Sequence, residues 1–435
     1  MKHLPHLIFI LAMLIHHATH AQITGGFSNI TPTDPEVQAA AKFAVNAHDA
    51  KLTLKEVEKA ETQVVAGTNY KMGLRLGDGR RVAVVVWRKL DGSHELISWQ
   101  TLDTAAPQPG LVKSEFIFDP NPVPSCHATT IVETKNGTLV SAWFAGTAES
   151  KPDVCIWSSR SADGAWTAPV KVAEGTPHPC WNPVLFQPRE GDLMLFYKVG
   201  PSPSTWWGML KTSSDGGKTW SEAVKLPDGI LGPIKNKPVQ LADGTILCGS
   251  SAEGLTPPPT WQIHFERSTD NGKTWMLINV PQPETAPASI QPSILLLGGD
   301  RLMSLGRTRA GKIFHTTSED NGLTWTQTAL LDLPNPNSGT DAVTLKDGRH
   351  LLIYNHTAKG RSPLNLALSK DGKIWEAALV LENEPKMEFS YPAIIQTSDG
   401  LVHATYTWKR KLVKHAVIDP AKLATKPIVN GEWPQ

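Results

Sequence analysis

Ser213-Ser214-Asp215-Gly216-Gly217-Lys218-Thr219-Trp220 recurs as Ser268-Thr269-Asp270-Asn271-Gly272-Lys273-Thr274-Trp275 and as Ser318-Glu319-Asp320-Asn321-Gly322-Leu323-Thr324-Trp325. The shared pattern is S-x-D-x-G-x-T-W. Shorter copies stand at Ser161-Ala162-Asp163-Gly164-Ala165-Trp166 and at Ser369-Lys370-Asp371-Gly372-Lys373-Ile374-Trp375, which puts the five aspartates 52, 55, 50 and 51 residues apart. A fixed period of this size marks an array of repeated supersecondary units. Asp-Gly and Asn-Gly supply the positive φ that a tight turn needs. The aspartate can accept bonds from the turn's own N–H groups, and the tryptophan has a large apolar face to bury. The motif therefore reads as architecture, although it holds a carboxylate.

A second marker runs between these copies. Gly137, Gly191, Gly244, Gly299, Gly348 and Gly400 each precede an apolar strand, at spacings of 54, 53, 55, 49 and 52. Six markers predict six blades, each a small antiparallel sheet, in an all-β six-bladed propeller over residues 113–425. Phe116-Ile117-Phe118 is expected to close the ring by joining the last blade near Leu412–Ile418. Upstream of each turn glycine an innermost strand opens with Ala128, Pro183, Pro238, Pro292, Ala342 or Pro392. The residues before them, His127, Asn182, Lys237, Gln291, Asp341 and Tyr391, are all polar or ionisable. One polar side chain per blade predicts a ring around a central mouth. Glu149, Asp153, Trp206, Trp207, Lys235, Asn236, Glu253, Arg307, Arg309, Asn337, Ser338, His356, Arg361 and Glu388 are expected nearby. Lys235, Lys237, Arg307 and Arg361 suit an anionic ligand. Trp206 and Trp207 suit either sugar stacking or packing between blades.

This half resembles the sialidase superfamily, whose Asp-box the S-x-D-x-G-x-T-W repeat matches. The resemblance implies that Tyr391 is the nucleophile, that Arg307 binds a carboxylate and that Asp153 lies in the loop of the acid/base aspartate. Two positions depart from the family. Gln291 stands where a glutamate would activate the tyrosine, and Cys126, followed by His127, stands where the first arginine of an R-I-P motif belongs. Asp341 is a second acid/base candidate. Asn182 and Lys237 complete the substrate-binding set.

Residues 22–103 read differently. Asp34-Pro35 is a helix start, and Val37, Ala40, Ala41, Ala44, Val45 and His48 follow at helical spacing on one face. Three β-like runs come next, over 63–76, 81–90 and 94–102, separated by Gly77-Asp78-Gly79 and Asp91-Gly92. This small α+β unit resembles a plant-type cystatin in Gly25-Gly26, in Ala41-Lys42-Phe43-Ala44-Val45 and in Gln63-Val64-Val65-Ala66-Gly67. The resemblance implies a wedge, formed by Gly25, Gly26 and the Gln63 to Gly67 hairpin, that enters the cleft of papain-like cysteine proteases. The family's Pro-Trp pair is missing from the second loop, which reads Lys89-Leu90-Asp91-Gly92-Ser93. Residues 104–112 form a linker and 426–435 a C-terminal tail.

Residues 1–21 predict a signal peptide, with Lys2, an apolar run over 7–15 too short to span a bilayer, and Thr19-His20-Ala21 as a cleavage site. A secreted or periplasmic protein follows. A net charge of +1 excludes the electrostatic footprint of a non-specific nucleic-acid binder. Four cysteines without a C-x-x-C pair argue against a zinc ribbon, and no metal or other cofactor is expected. Cys126 and Cys180 hold equivalent places in adjacent repeats and are the expected disulfide, if one forms. The expected protein is a monomer without membrane attachment, whose partners are an acidic carbohydrate and cysteine proteases. Three activities stay open: hydrolysis of a terminal acidic sugar, β-elimination from a uronate with His127 as base and Tyr391 as acid, and binding without turnover.

Overall fold

The computed structural model describes residues 26–77, 80–101 and 108–434. The expected signal peptide, Gly25, Asp78, Gly79 and residues 104–107 of the expected linker lie outside these. The chain divides into two compact units, Met1–Ala106 and Pro107–Gln435.

In the first unit the Asp34 carboxylate accepts the N–H groups of Glu36 and Val37 and starts α1, Pro35–His48. Five strands follow the order β1-β2-β3-β4-β5: Ser28–Asn29, Leu54–Val65, Gly67–Leu76, Arg81–Arg88 and His94–Thr101. The helix buries Val37, Ala40, Ala41, Ala44 and Val45. Their partners in the core include Tyr70, Met72 and Leu74 of β3 and Val82, Val84 and Val86 of β4. This period of two buries one face of the sheet. The run over 63–76 is not a single strand. It contains the hairpin turn at Ala66, where Val65 pairs with Gly67. The sequence reading also missed most of β2, whose Lys55, Glu56, Glu58, Lys59 and Glu61 mask the buried Val57 and Ala60.

Among the described residues, the second unit is mostly β and holds six antiparallel sheets. Their first strands in sequence are Ser125–Glu133, Cys180–Phe186, Val239–Gln240, Ser289–Gly298, Asp341–Thr344 and Phe389–Gln396. In each sheet one of the six marker glycines, all at positive φ, turns the first strand into the second. Sheet six takes its fourth strand, Leu111–Phe116, from the start of the unit, paired with Leu412–Ile418. Lys426–Pro427, inside the expected tail, is a fifth strand of sheet five.

The Asp-box turns join third strands to fourth. Asp215 accepts the N–H groups of Lys218 and Thr219 and the hydroxyls of Ser213 and Thr219, and Asp270 and Asp320 repeat this use of the Ser and Thr hydroxyls. The box tryptophans pack backwards, onto the preceding sheet: Trp325 stacks on Phe265 at 3.9 Å, and Trp275 meets Phe196 edge-on at 6.0 Å. Gly322 permits the same approach, since a Cβ there would lie 2.6 Å from Leu247.

The expected Cys126–Cys180 disulfide is absent, because all four cysteines are free and buried. Cys126 packs with Phe118 and Trp143, while Cys180 packs with Leu195 and Tyr197 in a different cluster. Burial pushes the Cys126 thiol up to about 12.

Candidate functional site

Four of the six first strands begin with the same irregularity. Register slips between His127 and Thr130, between Trp181 and Val184, between Ile290 and Ser293, and between Ser390 and Ala393. The first residue of each bulge has a left-handed backbone: Ala128 (φ 55), Asn182 (φ 32), Gln291 (φ 58) and Tyr391 (φ 50). A bulge re-aims a side chain beside a site, and a positive φ in a bulky residue persists only where its surroundings impose it. The register also corrects the alignment of repeats. Ala128, not His127, corresponds to Tyr391; His127 corresponds to Ser390.

His127 and Tyr391 nevertheless meet, with ring centroids 4.2 Å apart. His127 is buried, and its Nδ1 lies 3.2 Å from the Thr407 hydroxyl. Burial, followed by the charges of Arg410, Arg361, Arg307 and Lys235, holds its pKa well below the usual value, so the ring is neutral. Gln291 Nε2 donates to the Tyr391 hydroxyl at 3.5 Å. Gly339 lets the chain pass close by: a Cβ there would stand 3.2 Å from the Tyr391 ring and 3.4 Å from Gln291 Oε1.

Cations surround the tyrosine. Arg307, Arg361 and Lys235 lie 5.4, 5.7 and 6.0 Å from its ring centroid. Lys235 is 3 % exposed and donates to the carbonyls of Thr340 and Pro392. Burial lowers its pKa to about 7. Glu388 organises the arginines: one oxygen accepts Arg361 Nη1 at 2.8 Å, Arg410 Nε at 2.7 Å and the Ser390 hydroxyl at 2.8 Å. Arg410 Nη1 also reaches Glu149 at 2.5 Å. Among the described residues, the buried Arg307 Nε, Gln291 Oε1, Asn337 Oδ1 and Ser338 hydroxyl have no hydrogen-bond partner. Buried polar groups of this kind call for a water, an ion or a ligand as partner.

Other expected site residues have different employment. Lys237 is paired with Asp341 at 3.0 Å. Asp341 is 1 % exposed and also accepts from Ser293 and from the N–H groups of Ala342 and Ile394. A carboxylate so fully bonded ties neighbouring strands together. Asp153 folds back on its own loop, accepting the Thr147 hydroxyl and N–H, and these bonds hold its pKa below the usual carboxylate range. It is therefore ionised at neutral pH in this structure. Asn182 donates to the Ile234 carbonyl. Trp206 meets Trp181 edge-on, and Trp181 meets Phe144, which touches His127. Trp207 instead packs against His178 and the core between sheets one and two. His356 binds Tyr354 and the Gly431 carbonyl, which makes it an anchor for the C-terminal segment. Trp261 donates to Glu253 and carries Arg309 on its face at 4.1 Å.

Sequence reasoning missed Arg410. It sits in Lys409-Arg410-Lys411, a basic turn that reads as solvated surface. The left-handed φ values of Lys409 and Arg410 (53° and 60°) turn this hairpin against the site.

In the first unit Gly26 is exposed, and Gln63 accepts from Asn69 at 3.1 Å. Val64 and Val65 are 74 % and 44 % exposed beside Ala66 and Gly67. The β4–β5 hairpin stands at the same end of the sheet and carries Leu90, 85 % exposed. Trp87 Nε1 donates to the Ala66 carbonyl at 3.1 Å and so ties the two hairpins together.

This fold defines a repeat-built β unit that follows, in sequence, a small α+β unit. Family models agree: residues 137–404 match the BNR repeat-like domain and residues 25–104 the cystatin domain. The chain belongs to the BNR repeat-like family and carries a cystatin domain in front of it. It is 27% identical over 185 residues to a sialidase of Bacteroides fragilis, covering 38% of this chain and only 32% of that protein. It is 35% identical over 92 residues to cysteine proteinase inhibitor 5 of Arabidopsis thaliana, covering 19% of this chain and 75% of that protein. The solved NanB sialidase of Streptococcus pneumoniae shares the fold, with a TM-score of 0.62 at 12% identity over 86% of this chain and 93% of that one.

Proposed function

We propose that this is a secreted two-module protein, in which a reversible cysteine-protease inhibitor precedes a six-bladed propeller that binds a terminal acidic sugar and cleaves its glycosidic bond. The six sheets, with a last sheet completed by the unit's first strand, support the propeller reading. The observation that carries the sugar reading is the cationic collar of Arg307, Arg361 and Lys235 around Tyr391. A sugar carboxylate held by the collar would place its anomeric carbon against the Tyr391 hydroxyl, and a tyrosine can replace one of the two carboxyl groups of ordinary glycosidases. With Asp153 ionised and Asp341 fully bonded, neither aspartate is placed to protonate a leaving oxygen. Aryl glycosides of acidic sugars should therefore turn over faster than alkyl ones.

Gln291 and the neutral His127 favour a second reading, β-elimination from a uronate, with His127 taking the proton and Tyr391 giving one. One assay separates these. Aryl alcohol release from an aryl N-acetylneuraminide supports hydrolysis, and a rise in unsaturated-uronate absorbance from a uronate oligosaccharide supports elimination. Saturable binding without either leaves a lectin-like role. Tyr391→Phe should abolish either turnover and keep binding; full activity in that variant would remove Tyr391 from the mechanism.

For the first module, the exposed Val64, Val65 and Leu90 at one end of the sheet support insertion into a protease cleft. Leu90 would stand in for the missing tryptophan. The full chain should inhibit papain reversibly, and Leu90→Asp should weaken inhibition at least tenfold, about 1.4 kcal/mol. No inhibition at high micromolar concentration would overturn this part. N-terminal sequencing of the mature protein tests secretion, with cleavage expected after Ala21.

A further inference from the structure

We infer that Glu266 and Lys198, two wholly buried side chains outside the Tyr391 site, are positioning residues: they hold the segment 231–233 in place of a strand ladder and so set Lys235 against Tyr391. The inference rests on the reading of Tyr391 and its neighbours as the ligand site.

The segment needs such support because sheet three begins late. Its first strand, Val239–Gln240, has 2 residues, against 9, 7, 10 and 8 in sheets one, two, four and six. Residues 231–236 run ahead of that strand, and buried backbone groups without a ladder must find other partners. Glu266, on the third strand of sheet three, takes two of them. Its carboxylate accepts the Leu231 N–H at 2.9 Å and the Gly232 N–H at 2.6 Å. Lys198, on the second strand of sheet two, donates its Nζ to the Pro233 carbonyl. Ile234 comes next, with its N–H on the Gly249 carbonyl and its own carbonyl on Asn182 Nδ2, both at 3.1 Å. The segment is thus pinned between two sheets. Gly232 permits the path: at φ 70, a Cβ there would stand 3.0 Å from Leu226 and 3.1 Å from Phe196. Glu266 and Lys198 are both 0 % exposed, and among the described residues no ion pair joins them. Ionisable groups at full burial are costly to keep, and each of these is bonded to the main chain of this one segment.

The hold is carried on to the site. Lys235 Nζ reaches the Thr340 carbonyl at 2.9 Å and the Pro392 carbonyl, and lies 6.0 Å from the centre of the Tyr391 ring. Asn236 pins the far end of the segment by donating to the Gln291 carbonyl at 2.8 Å. Lys235 therefore stands between two anchors, and freeing the near one lets its side chain leave the ring.

The test takes the full chain through a double-mutant cycle of Glu266→Gln and Lys235→Met, with binding of N-acetylneuraminic acid read by calorimetry. Glu266→Gln keeps the shape and turns one acceptor into an amide that faces an N–H donor. Alone it should weaken binding at least fivefold; in the Lys235→Met background it should change binding less than twofold, because the group it positions is gone. An equal loss in both backgrounds, or no loss in either, would overturn the inference. A second arm needs no ligand: acetylation by an N-hydroxysuccinimide ester, read by peptide mass spectrometry. Lys235 should label at least fivefold faster in Glu266→Gln than in the parent, while the buried Cys126, probed with N-ethylmaleimide, stays protected. Lys235 as protected as in the parent would overturn the inference, and so would Cys126 opening along with it, the sign of general loosening. If the parent binds neither N-acetylneuraminic acid nor glucuronic acid, the acidic-sugar reading falls and the labelling arm still decides the role of Glu266. Should Glu266→Gln fail to fold, Lys198→Met, which frees only the Pro233 carbonyl, takes its place in both arms.

Discussion

Tyr391 combines a strained backbone with a crowded ring. A left-handed φ in a non-glycine residue costs about 1–3 kcal/mol, and here the bulge imposes it. Asn182 and Gln291 accept the same strain, so the device belongs to the repeat. What sets Tyr391 apart is its cations, and one of them titrates near neutrality. Lys235 is brought down to about 7 by burial. It is charged below that pH and loses its charge as pH rises through it, whereas a sugar carboxylate stays ionised throughout. Affinity for an acidic monosaccharide is therefore expected to fall between pH 6 and pH 8.5, and Lys235→Met should flatten the profile at the weaker level. Calorimetry at four pH values checks this, and a flat profile in the parent chain would count against a charged Lys235 in the collar. At this scale the sequence was partly readable. His127, Gln291 and Tyr391 stood out as polar residues at strand starts. The offset at Ala128 did not, because a bulge is visible only once the partner strand's register is known.

Hairpins show what local chemistry can secure alone. The Asp-box folds on contacts within a few residues, so its sequence is its structure. The Thr274 hydroxyl and N–H, together with Ser268, bring Asp270 down to about 2. Asp270→Ala removes these bonds on an exposed turn far from Tyr391 in sequence. It is expected to lower the melting temperature by roughly 2–4 °C and to leave acidic-sugar affinity unchanged; a changed affinity would show that the box reaches the site. The cystatin hairpins need a longer connection. Gly67 sits at φ 111, and a Cβ there would meet Arg88 O at 2.3 Å and Trp87 Nε1 at 2.8 Å. The Trp87 indole bond then sets the first loop against the second. Trp87→Phe keeps the ring and removes that donor. Losing one hydrogen bond of about 1 kcal/mol should raise the papain inhibition constant several-fold while far-ultraviolet circular dichroism stays the same. An unchanged constant would mean that the protease itself orders the loops. The charged face of β2 hid that strand from the sequence reading, since two bulges break its alternation.

Over the whole molecule, the second unit joins its first strand to a late one. Leu111–Phe116 pairs with Leu412–Ile418, and this seam holds a buried relay in which Glu115 binds His415 at 3.0 Å and His415 binds His403 at 2.9 Å. Burial, then the charge of His415, lowers the His403 pKa to about 4 from an ordinary 6.5. The unfolded chain takes up this proton below pH 6.5, and the folded one resists until about 4. The stability due to neutral His403 is thus full above pH 6.5 and is lost as pH falls toward 4. The urea midpoint should drop more between pH 7 and pH 4.5 in the parent chain than in His403→Asn; equal drops would show that the relay does not titrate with unfolding. The sequence by itself determined the repeat period, the turn chemistry and the two-module order, because each rests on residues close together in the chain. Tertiary structure alone decided which charges meet. Asp341 was bonded to Lys237, and Asp153 to its own loop, while Arg410 was brought to Glu149 from 261 residues away. Pairings of that span depend on which distant strands pair and on the register of bulges, and no local pattern records them.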